Sequence, residues 1–330
     1  MRPERGGLPA AVSSRGAILL GGRVEADGYA GRLVRVVTHA HEDHTIGLAS
    51  SSRRALFVVA TPVTLRFLSV LGKRVPPHKV LELDYDRPVE VDGERLTLRR
   101  ARHIAGSAQV EVEGSGFRVG YTGDFKLPGT PPMRDLDVLV VDATYGSPAS
   151  QRRWGEWDAI AALASLVEEG LRMGTVYIYG FNGKLQEVMV ELRVRGVSAP
   201  FAADPRTVQL ARIASEFYGV SVDPLVTHDK VVDGEPVVVF AHTSRFRSSR
   251  RRPGLHLRLT GMELRGVVYR VSDNVYNVSF SDHASFREVI EYIEEARPRR
   301  VIVDAYRGRE ARFTAKYIER RLGIPAEAQP

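Results

Sequence analysis

Residues 38–44 read Thr-His-Ala-His-Glu-Asp-His and close an apolar run at 33–38 that has the composition of a β-strand. Successive side chains of an extended segment point to opposite sides, so His39 and His41 leave the strand end toward one side. The turn that follows brings Asp43 and His44 round to a second point. The chain has nine histidines, and three of them fall with an aspartate inside six positions; that density marks a ligand set rather than a polar surface loop. The chain has no cysteine. Disulfides and thiolate sites are therefore excluded, and a metal would sit on imidazole and carboxylate, a donor set that suits zinc and admits manganese. A fold that serves this loop must hold a strand end rigidly and bring other donors to it.

The 330 residues are enough for two compact units. Short β runs punctuated by turns are predicted at 17–20, 33–38, 56–60, 89–91 and 117–121, with one helix at 62–71. The unbroken apolar stretch 136–142 predicts a strand buried on both faces. From Arg152 the texture changes. Helices at 157–173, 185–194 and 206–218 alternate with strands at 175–179 and 200–203, the pattern of a parallel α/β unit. A strand at 237–241 leads into an arginine-rich loop, and β runs resume at 266–280. Ser285 and Glu288 have the spacing of a capping box, and Phe286, Val289, Ile290 and Ile293 share one helical face behind them. A strand at 300–303 and a helix at 309–322 close the chain.

The run from His39 to His44 resembles the His-x-His-x-Asp-His signature of the metallo-β-lactamase fold superfamily. His103, in Arg102-His-Ile-Ala-Gly-Ser107, stands where that family carries its next histidine, and Asp124, in Tyr121-Thr-Gly-Asp-Phe125, matches its bridging aspartate. The resemblance implies that His39, His41 and His103 hold one ion, that Asp43 and His44 hold another, and that Asp124 spans the two. Two Zn²⁺ ions are the expected cofactors, with Asp43 close enough to the chemistry to count among the catalytic residues. Zinc lowers the pKa of bound water to about 7, which places the nucleophile at neutral pH.

Three further stretches point to one branch. Val140-Val-Asp-Ala-Thr-Tyr-Gly146, Phe280-Ser-Asp-His283 and Gly183-Lys184-Leu-Gln-Glu187 resemble motifs of the β-CASP nucleases. The implied fold is α/β: an αββα metallo-β-lactamase sandwich at 1–148 and 272–330, interrupted by a β-CASP-like α/β insert at 149–271, with the site beneath that insert. The implied roles are catalytic for Asp142 and His283. Asp142 would keep the His283 imidazole charged and oriented, and His283 would steady a phosphoryl oxygen or protonate the leaving alkoxide. Lys184, at a helix N-terminus, is a candidate phosphate contact. Arg245, Arg247, Arg250, Arg251 and Arg252 surround Phe246 and could grip phosphates while the ring stacks a base. His78, His228, His242 and His256 have no motif around them and are read as structural.

Many β-CASP nucleases carry one more metal-binding histidine after a late strand. Here the strand reads Val301-Ile-Val-Asp-Ala-Tyr306 and the histidine is absent; Ala305 takes its place by spacing, with Asp304 beside it. A weaker second ion is expected, unless Asp304 substitutes. The net charge of +7 and a pI near 9.7 favour a polyanionic partner, RNA or DNA and single-stranded. No apolar run has membrane-spanning length and the N-terminus lacks the core of a secretory signal, so no membrane is expected and a cytoplasmic setting is. Phosphodiester hydrolysis in RNA processing is the leading expectation, and DNA exonuclease action in repair the second. A catalytically silent scaffold subunit of an RNA-processing complex is a third, weakened by the presence of all six ligand residues. A thioesterase or lactamase is disfavoured by the insert and the basic charge.

Overall fold

The computed structural model describes residues 8–231 and 235–330. Residues 1–7, part of the stretch read as lacking a secretory signal, lie outside them. The chain divides into two compact units, one of residues 1–151 with 283–330 and one of residues 152–282.

In the first unit, strands β1 (Ala10–Val12), β2 (Ile18–Leu20), β3 (Val24–Ala26), β4 (Val34–Val36), β5 (Phe57–Ala60) and β6 (Val80–Glu82) form one sheet in chain order. It is antiparallel from β1 to β3 and parallel from β3 to β6. Parallel neighbours need crossovers, and helices α1 (Leu48–Arg54) and α2 (Pro62–Val70) supply two of them. Helix α2 starts where its sequence dictates: the Thr61 side chain accepts from Thr64 N, and Pro62 needs no amide hydrogen.

A second sheet begins as an antiparallel meander of β7 (Val89–Val91), β8 (Glu94–Arg100), β9 (Ala108–Gly114) and β10 (Phe117–Tyr121), which β11 (Val138–Val141) joins in parallel. The chain then leaves for the second unit. There it forms α3 (Glu156–Leu171), β12 (Val176–Gly180), α4 (Lys184–Val194), β13 (Phe201–Ala203), α5 (Pro205–Tyr218) and β14 (Leu225–Thr227). After these come β15 (Val238–His242), α6 (Phe246–Ser249), β16 (Leu255–Leu259), β17 (Val268–Ser272) and β18 (Val275–Val278). Their sheet, ordered β14-β13-β15-β12-β16-β18-β17, is parallel except for β17.

The sequence reading returned the chain to the first unit at 272; the structure does so at His283. The reason is β16, a Leu-His-Leu-Arg-Leu strand for which the sequence predicts no β run. It pairs in parallel with β18 and so draws the β17–β18 hairpin into the sheet of the insert.

Back in the first unit, α7 (Phe286–Ala296), β19 (Val301–Asp304), α8 (Ala311–Leu322) and β20 (Ala326–Gln329) complete the second sheet, with β19 parallel to β11 in register Leu139↔Val301. The expected capping box holds α7: Ser285 Oγ accepts from Glu288 N, and Ser285 N donates to Glu288 Oε2 at 2.7 Å. Side chains of β11 alternate between two cores. Val138 and Val140 join Ile18, Leu20, Val34 and Leu96 between the two sheets, whereas Leu139 and Val141 pack with Tyr292, Ile293 and Ile318 under α7 and α8. With α1 against β5 on the far side, the layers are helix, sheet, sheet, helix, the αββα arrangement expected. Among the described residues no helix is long and apolar enough to cross a membrane.

Candidate metal centre

The site is assembled at strand ends of the first unit. After β4, Thr38 and His39 are fully buried, and Glu42–His44 wind into a single 3-10 turn. His103 comes from the loop between β8 and β9. Parallel β10 and β11 are in register, Tyr121↔Val140, so the segments leaving them run side by side and Asp142 N donates to Thr122 Oγ at 3.0 Å. Gly123 makes that exit feasible. Its φ is +57°, and a Cβ there would stand 2.9 Å from the Ala108 carbonyl oxygen.

Four imidazoles converge on one oxygen. Asp124 Oδ2 lies 3.2 Å from His44 Nε2, 3.5 Å from His39 Nε2, 3.6 Å from His103 Nε2 and 3.7 Å from His283 Nδ1. His41 Nδ1 lies 3.1 Å from His39 Nε2 and 3.0 Å from His103 Nε2. Those nitrogen separations approach the ~3.3 Å edge of a tetrahedron with metal–nitrogen bonds of ~2.0–2.1 Å. His39, His41, His103 and Asp124 thus form a group able to hold an ion. His44 Nε2 is buried and faces two carboxylates, Asp124 Oδ2 at 3.2 Å and Asp43 Oδ2 at 3.4 Å. A buried ring nitrogen between two carboxylates is placed to carry a proton in the metal-free protein and to exchange it for a metal ion. Asp142 and His283 make a further group with Asp124.

The charges are unequal. Burial works to raise the Asp124 pKa, but the imidazoles of His44 and His283 outweigh it and hold the carboxyl well below its usual range. Burial also pushes His39 well below 6.5, with His44 and His103 adding to the effect. For His44 burial acts the same way, yet Asp124 and Asp27 overcome it and raise this imidazole well above 6.5. Burial would raise Asp43, but the hydrogen bond and charge of His44 pull it down to about 2.

Several supporting residues were missed in the sequence. Asp27, fully buried, accepts from Thr38 N at 2.9 Å and Thr38 Oγ at 2.5 Å and binds His44 Nδ1 at 2.7 Å; Thr38 Oγ also lies 3.0 Å from His39 Nδ1. One carboxylate therefore sets the ring orientation of His44 and, through Thr38, that of His39. Its φ of +52° is not visible in sequence, and the Asp27-Gly28 pair signals a turn without signalling a role. Thr144 is the counterpart for Asp142: its N and Oγ donate to Asp142 Oδ1 at 2.9 and 2.8 Å. The other oxygen, Oδ2, faces His283 Nδ1 at 3.4 Å.

The remaining candidates lie elsewhere. Asp304 ends β19 with its carboxylate taken by Arg307 Nη1 at 2.8 Å and Tyr306 N at 2.9 Å, and Ala305 sits against the core under α7 and α8. Asp304 is thus no stand-in for the absent histidine. In the second unit Lys184 begins α4 but is only 5% exposed, with its ammonium 3.0 Å from Asp282; a phosphate there would have to compete with that carboxylate. Arg245, Arg247, Arg250, Arg251 and Arg252 are all exposed. The Phe246 ring, expected to stack a base, instead packs edge-on against Tyr179 with Arg258 over it. His256 is structural, binding Tyr179 Oη and the Arg252 carbonyl.

An αββα sandwich with imidazoles and carboxylates gathered at its strand ends is the architecture of a metallo-hydrolase. The family described as "Beta-lactamase superfamily domain" matches residues 33–175, and that described as "Zn-dependent metallo-hydrolase RNA specificity domain" matches 268–329. An "Uncharacterized protein in lig 3'region" of Acidianus ambivalens is 39% identical over 137 residues, covering 41% of this chain and 97% of that protein. The 5' exonuclease Apollo of Mus musculus is 24% identical over 88% of this chain and 54% of its own length. RNase aCSPSF2 of Saccharolobus solfataricus is 28% identical over 55% of this chain and 42% of its own. The chain thus spans about half the length of these two enzymes. It belongs to the metallo-β-lactamase superfamily, in its β-CASP branch.

Proposed function

We propose that the protein is a metal-dependent nuclease that hydrolyses phosphodiester bonds of single-stranded nucleic acid, with RNA processing as its setting. The observation that carries this reading is the convergence of four imidazole nitrogens within 3.7 Å of Asp124 Oδ2. His39, His41, His103 and Asp124 would hold one zinc-class ion, and Asp43, His44 and Asp124 a second. Bound there, such ions supply Lewis-acid charge to a phosphoryl oxygen and acidify water. The chain's own residues do the rest. Asp142, fixed by Thr144, orients His283, whose ring faces the cluster and is placed to give a proton to the alkoxide released as the P–O bond breaks. The exposed arginines of the second unit supply charge for backbone phosphates. The six ligand residues gathered in one unit argue against a silent scaffold.

A DNA exonuclease of repair is the second reading, and the likeness to the 5' exonuclease Apollo over 88% of the chain supports its exonuclease part. Labelled single-stranded RNA, single-stranded DNA and a thioester, each incubated with the protein and Zn²⁺ or Mn²⁺, separate the readings. RNA cleavage is expected. Cleavage of DNA alone moves the setting to repair, and hydrolysis of the thioester alone removes the nuclease.

Two further outcomes are expected. Asp27→Asn keeps the shape but removes the charge behind His44, and should weaken metal binding about 10–100-fold. In the wild type His44, raised above 6.5, keeps a proton at neutral pH while metal-free, so metal uptake must release it and affinity should climb with pH. Asp27→Asn should flatten that climb. Titration calorimetry in buffers of different ionisation enthalpy measures both, and unchanged affinity together with unchanged proton release would refute the supporting role. The double charge reversal Arg245→Glu, Arg251→Glu should raise KM for an oligonucleotide and lower the salt slope of binding by about 2. A slope equal to wild type would remove these arginines from the interface.

A further inference from the structure

The chain after β19 carries no histidine to the site, yet it reaches the site by another group. Arg307 is a guanidinium whose side chain is only 5% exposed. Its Nη1 donates to Asp304 Oδ2 at 2.8 Å, while Nη2 points toward three backbone carbonyls: Asp27 at 2.7 Å, Gly16 at 3.0 Å and Asp43 at 3.3 Å. Asp304, 1% exposed, spends its other oxygen on Tyr306 N, so the pair is locked from both sides. Two of the three carbonyls belong to residues that matter. Asp43 lies next to His44, and Asp27 holds the His44 ring. A planar fork that engages one carboxylate and several carbonyls at once fixes the distance between the segments it touches; an ammonium, a single point of charge on a flexible stem, cannot do so.

We infer that Arg307, braced by Asp304, is a positioning residue for the second cation position, setting Asp43 directly and His44 through Asp27. The inference rests on the two-ion reading above. In this chain the late segment shapes the second position from behind, with a cation, and contributes no ligand to it.

Titration of the metal-free full-length protein with Co²⁺ alone, followed by visible absorption and calorimetry, tests the inference. Wild type is expected to bind two ions of unequal affinity. Arg307→Gln should weaken the second by tenfold or more and alter its absorption band, leaving the first within twofold. Arg307→Lys, which keeps the charge but not the fork, should recover part of the loss. Asp304→Asn, a milder change that serves if Arg307→Gln does not fold, should weaken the second ion several-fold. A merely structural role would lower thermal stability in these variants with both affinities intact, and that result overturns the inference alone. Fewer than two ions bound by wild type would overturn the two-ion reading, and this inference with it.

Discussion

Asp124→Ala is expected to lose bound metal and nuclease activity together, with kcat/KM falling about 10³-fold or more, which corresponds to ~4 kcal/mol of transition-state stabilisation. One of its oxygens serves four imidazoles: His39, His44, His103 and His283 all lie within 3.7 Å of Oδ2. Removing it takes away the negative charge that those imidazoles share and the oxygen common to both proposed ions. The fold should persist, because Asp124 sits in a loop beyond β10 and adds nothing to either core of the first unit. Metal content by atomic emission, cleavage of a labelled oligonucleotide and far-UV circular dichroism would be read on the same sample. A variant that keeps its metal, or loses metal while cleaving normally, would show that Asp124 is not the bridge.

His283→Ala should separate chemistry from metal. Its ring nitrogen is close to Asp124 but is paired with Asp142, and the side chain is partly open to solvent where His39, His44 and His103 are sealed. The expected loss is about 10²–10⁴-fold in kcat with metal content retained, the range for removing a general acid. Loss of a leaving-group proton donor matters less when the leaving group is already acidic. On a p-nitrophenyl phosphodiester the deficit should therefore shrink to a small factor. Asp142→Asn should fall in between, because it leaves the imidazole in place but no longer charge-supported. An equal loss on natural and activated substrates would rule out proton donation and leave His283 as an electrostatic contact.

The candidates His39, His41, Asp43, His44, Asp124, Asp142 and His283 stood out in sequence because each lies in a short motif beyond a recognisable β run, whereas His103 follows β8, for which no run was predicted, and stood out only through the family resemblance. Layer order was legible from the unbroken apolar run around β11, a strand buried on both faces. Helix α1 was not. Its Leu-Ala-Ser-Ser-Ser-Arg-Arg sequence is too short and too polar to show apolar periodicity, and it is held by burial of Leu48, Ser51 and Ser52 and a contact from Ser51 Oγ to Glu25. The boundary of the insert was misplaced because β16 alternates leucine with a buried histidine and a half-buried arginine, and His256 is buried only through its partners Tyr179 and Arg252. Asp27 and Arg307 were invisible for a deeper reason. Their roles depend on backbone carbonyls and ring nitrogens brought from distant segments, and local pattern carries no record of such meetings.

The pairing of β11 with β19 joins positions 139 and 301, on either side of the whole second unit. A nascent chain that has emerged only as far as residue 282 would have an unpaired sheet edge at β11 and a bare apolar face where α7 and α8 belong. It would also lack His283 and Arg307. Synthesis therefore delivers the first metal-binding loop well before His283 and Arg307, so the centre can be finished only after the segment that follows the second unit has emerged.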